Sequence, residues 1–177
     1  MTLMDLSQIP QYPMKDGFNI RNYSPGDESV WYKIQRSAEP YLEIYDGLFE
    51  QEFGQNIDAL KNRCFFLCKN EMTEIGTVTA WWNENWRGER WGQVHWMAIN
   101  PDYQGLGLCK TLMTAVMNRI RQSDRKCYLR TSTGRIPAIK VYIDFGFSPD
   151  PSNEDEKQAW IELSKNFDHP ALREFLA

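Results

Sequence analysis

The sequence is poor in metal-binding side chains. Its 177 residues include two histidines, His95 and His169, and four cysteines, Cys64, Cys68, Cys109 and Cys127. Cys64 and Cys68 lie in the apolar run Cys-Phe-Phe-Leu-Cys, which reads as one strand with both thiols on one face. A tetrahedral zinc site needs more ligands than that, so reduced, packed thiols are expected and no metal. Basic residues are not in excess either. Lys and Arg total 20 against 24 Asp and Glu, for a net charge of −4. With a pI near 5.3, a nucleic-acid footprint is not expected. No run approaches the ~20 apolar residues that cross a bilayer, and the first residues lack a basic region followed by an apolar core. A cytoplasmic protein without a membrane partner is the expectation. Repeats, low-complexity tracts and linkers are missing too, so residues 1–177 read as one domain of ordinary globular composition.

What is present reads as mixed α/β. Residues 1–16 form an extended, loosely packed lead-in, and Phe18–Tyr23 alternates as a first strand. Asp27 or Ser29 can cap a helix over 28–38 that ends at Pro40, and a second helix is expected over 46–61. Strands follow at Cys64–Lys69 and Ile75–Trp82, joined by a polar turn over 70–74. A hairpin tip at 86–89 leads into a strand from Trp91 to Ile99. After the turn Asn100-Pro101-Asp102 come a glycine loop and a helix over about 107–121. The buried side of that helix is expected at Leu108, Leu112, Ala115, Val116, Arg119 and Ile120. Lys126–Thr131 reads as a strand and Pro137–Phe145 as a helix stopped by Gly146. A helical C-terminal extension covers 150–177, with its first helix over about 153–165. Ser152 or Asn153 caps it, the acids 154–156 fill its first turn, and Trp160 and Leu163 face inward.

The informative segment runs from Ile99 to Met113 as strand, turn, glycine loop and helix. Gly105 and Gly107 let backbone approach a ligand, and the helix start beyond them offers unpaired N–H groups and a positive dipole end. No acid occurs between Asp102 and Asp124, and Lys110 adds positive charge. These features describe an anion site suited to a diphosphate; a glycine turn that binds nothing is the alternative. An NTPase phosphate loop is excluded because Gln104 and Cys109 occupy both of its glycine positions. The dinucleotide pattern Gly-x-Gly-x-x-Gly fails at Lys110.

Gln104-Gly-Leu-Gly107-Leu-Cys109 resembles the Gln/Arg-x-x-Gly-x-Gly/Ala motif of the GNAT acetyltransferase superfamily, with cysteine where glycine or alanine is usual. Residues 96–103 look like that family's fourth strand and its turn. Ala138 to Phe147 is similar to its Ala-x-x-Leu-Tyr-x-x-x-Gly-Phe motif, and Arg135 stands where the family often has asparagine. The resemblance covers roughly residues 17–148. It implies a central, mostly antiparallel mixed sheet, flanked by helices and splayed after the fourth strand. It also implies a single acetyltransferase domain that takes an acetyl group from acetyl-CoA to a primary amine, small-molecule or peptide, in a ternary complex. A homodimer is compatible with it.

By the same resemblance, backbone groups of Met97, Ala98 and Ile99 pair with the pantetheine arm. Amides of Gln104, Gly105, Leu106, Gly107, Leu108, Cys109 and Lys110 hold the diphosphate. Tyr142 approaches the thioester sulfur as proton donor. Strand parity puts Gln93, His95 and Met97 on one face. Histidine titrates in the range needed for a base, and arylalkylamine acetyltransferases resemble the chain in having histidine at the position of His95. Packing among Trp81, Trp82, Trp91 and Trp96 is the other reading of His95. Those tryptophans are either core or the wall of an acceptor pocket. Glu39, Tyr41, Glu43, Tyr45 and Asp46 form either an acidic rim for a cationic acceptor or a solvated loop. Cys109 is a remote candidate for a covalent carrier. A non-catalytic acyl-CoA-binding sensor is the rival reading, supported by Gln93 and Arg135 standing where family members often carry glutamate and asparagine.

Overall fold

The computed structural model describes residues 1–70, 73–167 and 169–176, the side chains of 174 and 176 aside. An open sheet of six strands runs in the order β1-β6-β5-β4-β3-β2. Its strands are β1 (Thr2–Leu3), β2 (Phe18–Asn22), β3 (Cys64–Lys69), β4 (Thr73–Trp86), β5 (Glu89–Ile99) and β6 (Cys127–Tyr128). All neighbours are antiparallel except β5 and β6, which run parallel. Helices α1 (Glu28–Ala38), α2 (Leu48–Phe53) and α3 (Ile57–Arg63) precede β3. The later ones are α4 (Leu108–Ile120), α5 (Ile136–Asp144), α6 (Glu154–Asn166) and α7 (Pro170–Leu176). A mixed α/β fold with a mostly antiparallel sheet and a helical C-terminus is therefore what forms.

Alternation on the strands feeds two cores. Cys64, Phe66 and Cys68 pack with Trp31, Phe49, Phe53 and Leu60 of α1–α3. Leu67, Val78, Val94 and Ile99 pack with Leu108, Leu112, Val116 and Ile120 of α4 on the opposite face. Val94 and Ile99 are an odd number of residues apart, yet they reach the same core. A β-bulge reconciles them. Thr77 pairs with Ala98 and Thr79 with His95, so Trp96 and Met97 together oppose Val78. Trp96 is held at φ 48°, a conformation a bulky residue rarely adopts, and Gln35 Nε2 donates to its carbonyl at 2.8 Å.

The bulge opens the sheet. β5 and β6 pair only at Gly92–Cys127 and Gln93–Tyr128 and then diverge. The strand expected to reach Thr131 accordingly stops at Tyr128, and Leu129 exchanges backbone bonds with Met1 instead. This corrects the lead-in as well: residues 1–16 are not loosely packed. Leu6 and Ile9 are buried, β1 pairs with β6, and Tyr12 and Pro13 bond to Thr114 and Thr111 of α4.

Other differences are local. The helix expected over 46–61 breaks into α2 and α3 at Gly54, whose φ of 59° and ψ of −149° no helix accommodates. Asp27 precedes α1 but does not cap it, because its carboxylate accepts from Arg21 and from the backbone N–H of Ser24. On α4, Ala115 and Arg119 fall outside the buried side, which Thr111, Met113 and Met117 complete. The hairpin tip forms with Arg87 and Gly88 both at positive φ, as a tight two-residue turn requires. Residues 71 and 72 of the expected turn lie outside the described residues. At the C-terminus, Asn153 accepts from Glu156 N at 2.8 Å to start α6, and Trp160 and Leu163 are buried as expected.

Candidate functional site

Two clefts open where β5 leaves β6. The first, about 330 Å³, lies between the end of β5 and the starts of α4 and α5. Met97, Ala98, Ile99, Gln104, Gly105, Gly107, Leu108, Cys109 and Tyr142 line it. Gly105 and Gly107 both adopt positive φ, 76° and 74°, and Gly107 is the residue at which α4 begins. A Cβ on Gly105 would meet nothing within 4 Å, so the loop keeps open space above its backbone. The first turn of α4 holds no acid, so its N–H groups and dipole end face an uncompensated region. The Gln104 side chain donates to Ile99 O at 2.9 Å, pinning loop to strand. Lys110 also turns aside, paired with Asp144 at 2.7 Å. The cation over the loop is Lys15 from the lead-in, which donates to Leu106 O and lies 3.4 Å from where a Gly107 Cβ would stand.

The second cleft, about 430 Å³, lies on the other side of the splay. Glu52, Gln93, His95, Trp96, Arg130, Thr131 and Ser132 line it with Leu42 of the α1–α2 segment. Glu52 is its centre. His95 Nε2 lies 2.8 Å from Glu52 Oε2, and Trp96 Nε1 donates to the same oxygen at 3.0 Å. Gln93 Nε2 lies 2.9 Å from His95 Nδ1. An amide nitrogen can only donate, so Nδ1 accepts and the imidazole proton rests on Nε2, pointing at the carboxylate. The bond from His95 holds the Glu52 carboxyl below its ordinary range; burial opposes this and the Trp96 bond adds to it. The site thus contains an ionised, half-buried carboxylate held by two ring N–H donors.

Gln35, Glu39, Tyr41, Met97, Arg135 and Tyr142 line both clefts and form their junction. Arg135 grips Glu39 with contacts of 2.6 and 2.7 Å to its two oxygens and stacks 5.0 Å from the Tyr41 ring. Tyr142 is buried, which pushes its phenol well above the ordinary value and keeps it protonated.

The profile of the Acetyltransferase (GNAT) family matches residues 29–147. The chain belongs to the GNAT acetyltransferase family. Mycothiol acetyltransferase of Streptomyces coelicolor is 25% identical over 143 residues, which is 78% of this chain and 45% of that protein. The chain spans about half the length of the curated relatives it matches. The fold is similar to the ribosomal-protein-S18-alanine N-acetyltransferase of Escherichia coli, with TM-score 0.61 and 18% identity over 76% of this chain and 79% of that one. It is also similar to Arabidopsis thaliana Naa50, with TM-score 0.60 and 17% identity over 76% and 85%.

Within this GNAT domain the expected cofactor residues other than Leu106 and Lys110 line one cleft. Leu106 is exposed. Parity along β5 holds for Gln93 and His95, which bond to each other. It fails at Met97, because the bulge turns that side chain toward the α4 core. His95 is not simply packed among tryptophans, since both ring nitrogens are engaged. Of the four tryptophans, Trp96 lines the second cleft, Trp81 packs on Phe53, Trp82 lies under Arg63 and Arg90, and Trp91 is buried. The acidic rim is weaker than its composition suggests, because Glu39 pairs with Arg135 and Asp46 with Arg36. Burial pushes the Cys109 thiol up to about 12, against the thiolate form that a covalent carrier would need.

Sequence reasoning missed Glu52, Lys15 and Arg130. Glu52 had a signal: it lies one helical turn from buried Leu48 and beside buried Phe53, an acid on an apolar face. Lys15 and Arg130 had none, because tertiary folding alone brings them to the clefts.

Proposed function

We propose that the chain transfers an acetyl group from acetyl-CoA directly to an amine held in the second cleft. The observation that supports this most strongly is the junction: one buried tyrosine, Tyr142, lines both the cleft of the glycine loop and the cleft holding the Glu52 carboxylate. Acetyl-CoA supplies the acetyl group and a thiolate leaving group. The residues present fit it. Past Gln93 the β6-side edge of β5 has no strand partner among the described residues, so backbone of Met97, Ala98 and Ile99 can pair with an amide-bearing arm. Amides of Gln104–Lys110, with Lys15 above them, suit the diphosphate.

Each end then has its proton task. Glu52 accepts the amine proton, directly or through water, with His95 and Trp96 orienting the carboxylate. The Tyr142 phenol, protonated at neutral pH, donates a proton or hydrogen bond toward the sulfur. His95 therefore acts behind Glu52 rather than as the lone base. Naa50 was solved with the bisubstrate analogue CoA-Ac-MVNAL, which is consistent with two clefts meeting at a transfer point.

Thiol release from acetyl-CoA with a panel of primary amines tests the reading. Turnover on at least one amine, abolished by Glu52→Gln, is the expected result. Tight CoA binding with no release on any amine would point instead to an acyl-CoA-binding sensor.

A further inference from the structure

The second cleft is lined by two charges that have no ion-pair partner at contact distance among the described residues. Four ionisable side chains with fixed charge line it: Glu39, Glu52, Arg130 and Arg135. Glu39 and Arg135 neutralise one another through the two contacts described above. Glu52 takes its hydrogen bonds from His95 and Trp96, and no Lys or Arg forms an ion pair with it among the described residues; Arg130 acts on it only through space. Arg130 forms no ion pair among the described residues. Its guanidinium lies 5.6 Å over the Trp86 ring, and Trp86 is itself stacked at 3.9 Å and 8° on Tyr128. A guanidinium stacked on an aromatic plane keeps its N–H edges available for a planar anion. Next along the chain, Thr131 Oγ1 is buried without a hydrogen-bond partner in the same wall.

One carboxylate and one guanidinium thus remain, carried by α2 and by the segment after β6, within one cleft. A ligand with only a positive charge would satisfy Glu52 and leave Arg130 without an anion. We propose that the acceptor is dipolar: an amine that carries a carboxylate in the same molecule, the amine at Glu52 and the carboxylate at Arg130 and Thr131. This rests on the reading of the second cleft as the acceptor site. Arg130 is a specificity residue here, and it has no part in the proton transfers.

Matched acceptors test it in the full chain: leucine against isopentylamine, phenylalanine against phenethylamine, and aminohexanoate against hexylamine, followed by thiol release from acetyl-CoA. In at least one pair the carboxylate-bearing member is expected to have kcat/KM higher by about tenfold or more, as a charge-assisted bidentate contact would give. Arg130→Gln is expected to shrink that ratio about tenfold, and Arg130→Lys to restore part of it. Arg130 is exposed, so neither change disturbs the core. Equal rates within every pair, or a ratio that survives in Arg130→Gln, would overturn the proposal and leave acetyl transfer standing. No release on any of the six would overturn both.

Discussion

The two clefts are built from different parts of the chain by different means. In the glycine-loop cleft, residues 97–110 supply strand edge, turn and helix start within one continuous stretch, which residues 38–41 and 134–142 close over. The second cleft brings together the side chains of Glu52, His95 and Arg130 from α2, β5 and the segment after β6. A backbone site depends on conformation and so on a few glycines. A side-chain site depends on how separate elements pack, and one exchanged residue alters its chemistry without altering the fold.

Substitutions can separate the two ends. The largest effect is expected at Gly107. Valine there must adopt φ near 74° and meets Lys15, so CoA binding measured by calorimetry should fall by about a hundredfold or more while circular dichroism keeps its shape. At the junction, Tyr142→Phe should lower turnover by about 10²–10⁴ and leave acetyl-CoA affinity within about twofold, because the lost interaction forms chiefly in the transition state. A parallel loss of affinity would place Tyr142 in binding instead. Lys15→Met should weaken CoA by about three- to tenfold, with the difference shrinking as salt rises, as for an exposed ion pair of about 1 kcal/mol. Insensitivity to salt would mean that Lys15 only straps the lead-in to the loop.

The smallest effect is on stability. The folded carboxyl of Glu52 titrates below its unfolded value, so its contribution is present above the ordinary glutamate pKa of 4.5 and is lost as pH falls through the lower folded value. Wild type and Glu52→Gln should therefore differ in Tm near neutrality and converge in acid. A gap that widened as pH fell would contradict the assigned direction.

The same contrast explains what could be read from the sequence. The glycine loop, α4, α5 and the existence of β2 to β5 followed from local pattern, since turn chemistry, helix periodicity and the two motifs act within a few residues. Asn153 and the acids after it announced α6 for the same reason. The bulge at Trp96 left no local mark, because φ 48° at a tryptophan is imposed by the Gln35 amide and by packing on Trp31. Once it is missed, parity beyond His95 is wrong and the early end of β6 cannot be foreseen. Gly54 did carry its signal, and the apolar spacing over 46–61 concealed the break there. The pairing of His95 with Glu52 spans 43 positions, and only the packing of α2 onto β5 creates it.

Central to the account is that Glu52, held by His95 and Trp96, takes the amine proton while the glycine-loop end holds acetyl-CoA independently. Measuring acetyl-CoA affinity and single-turnover acetyl transfer side by side in Glu52→Gln tests that most directly. The expected result is an affinity within about twofold of wild type and a transfer rate lower by about 10²–10⁴. Wild-type transfer in this variant would contradict the role of Glu52, and lost affinity would contradict the independence of the two ends.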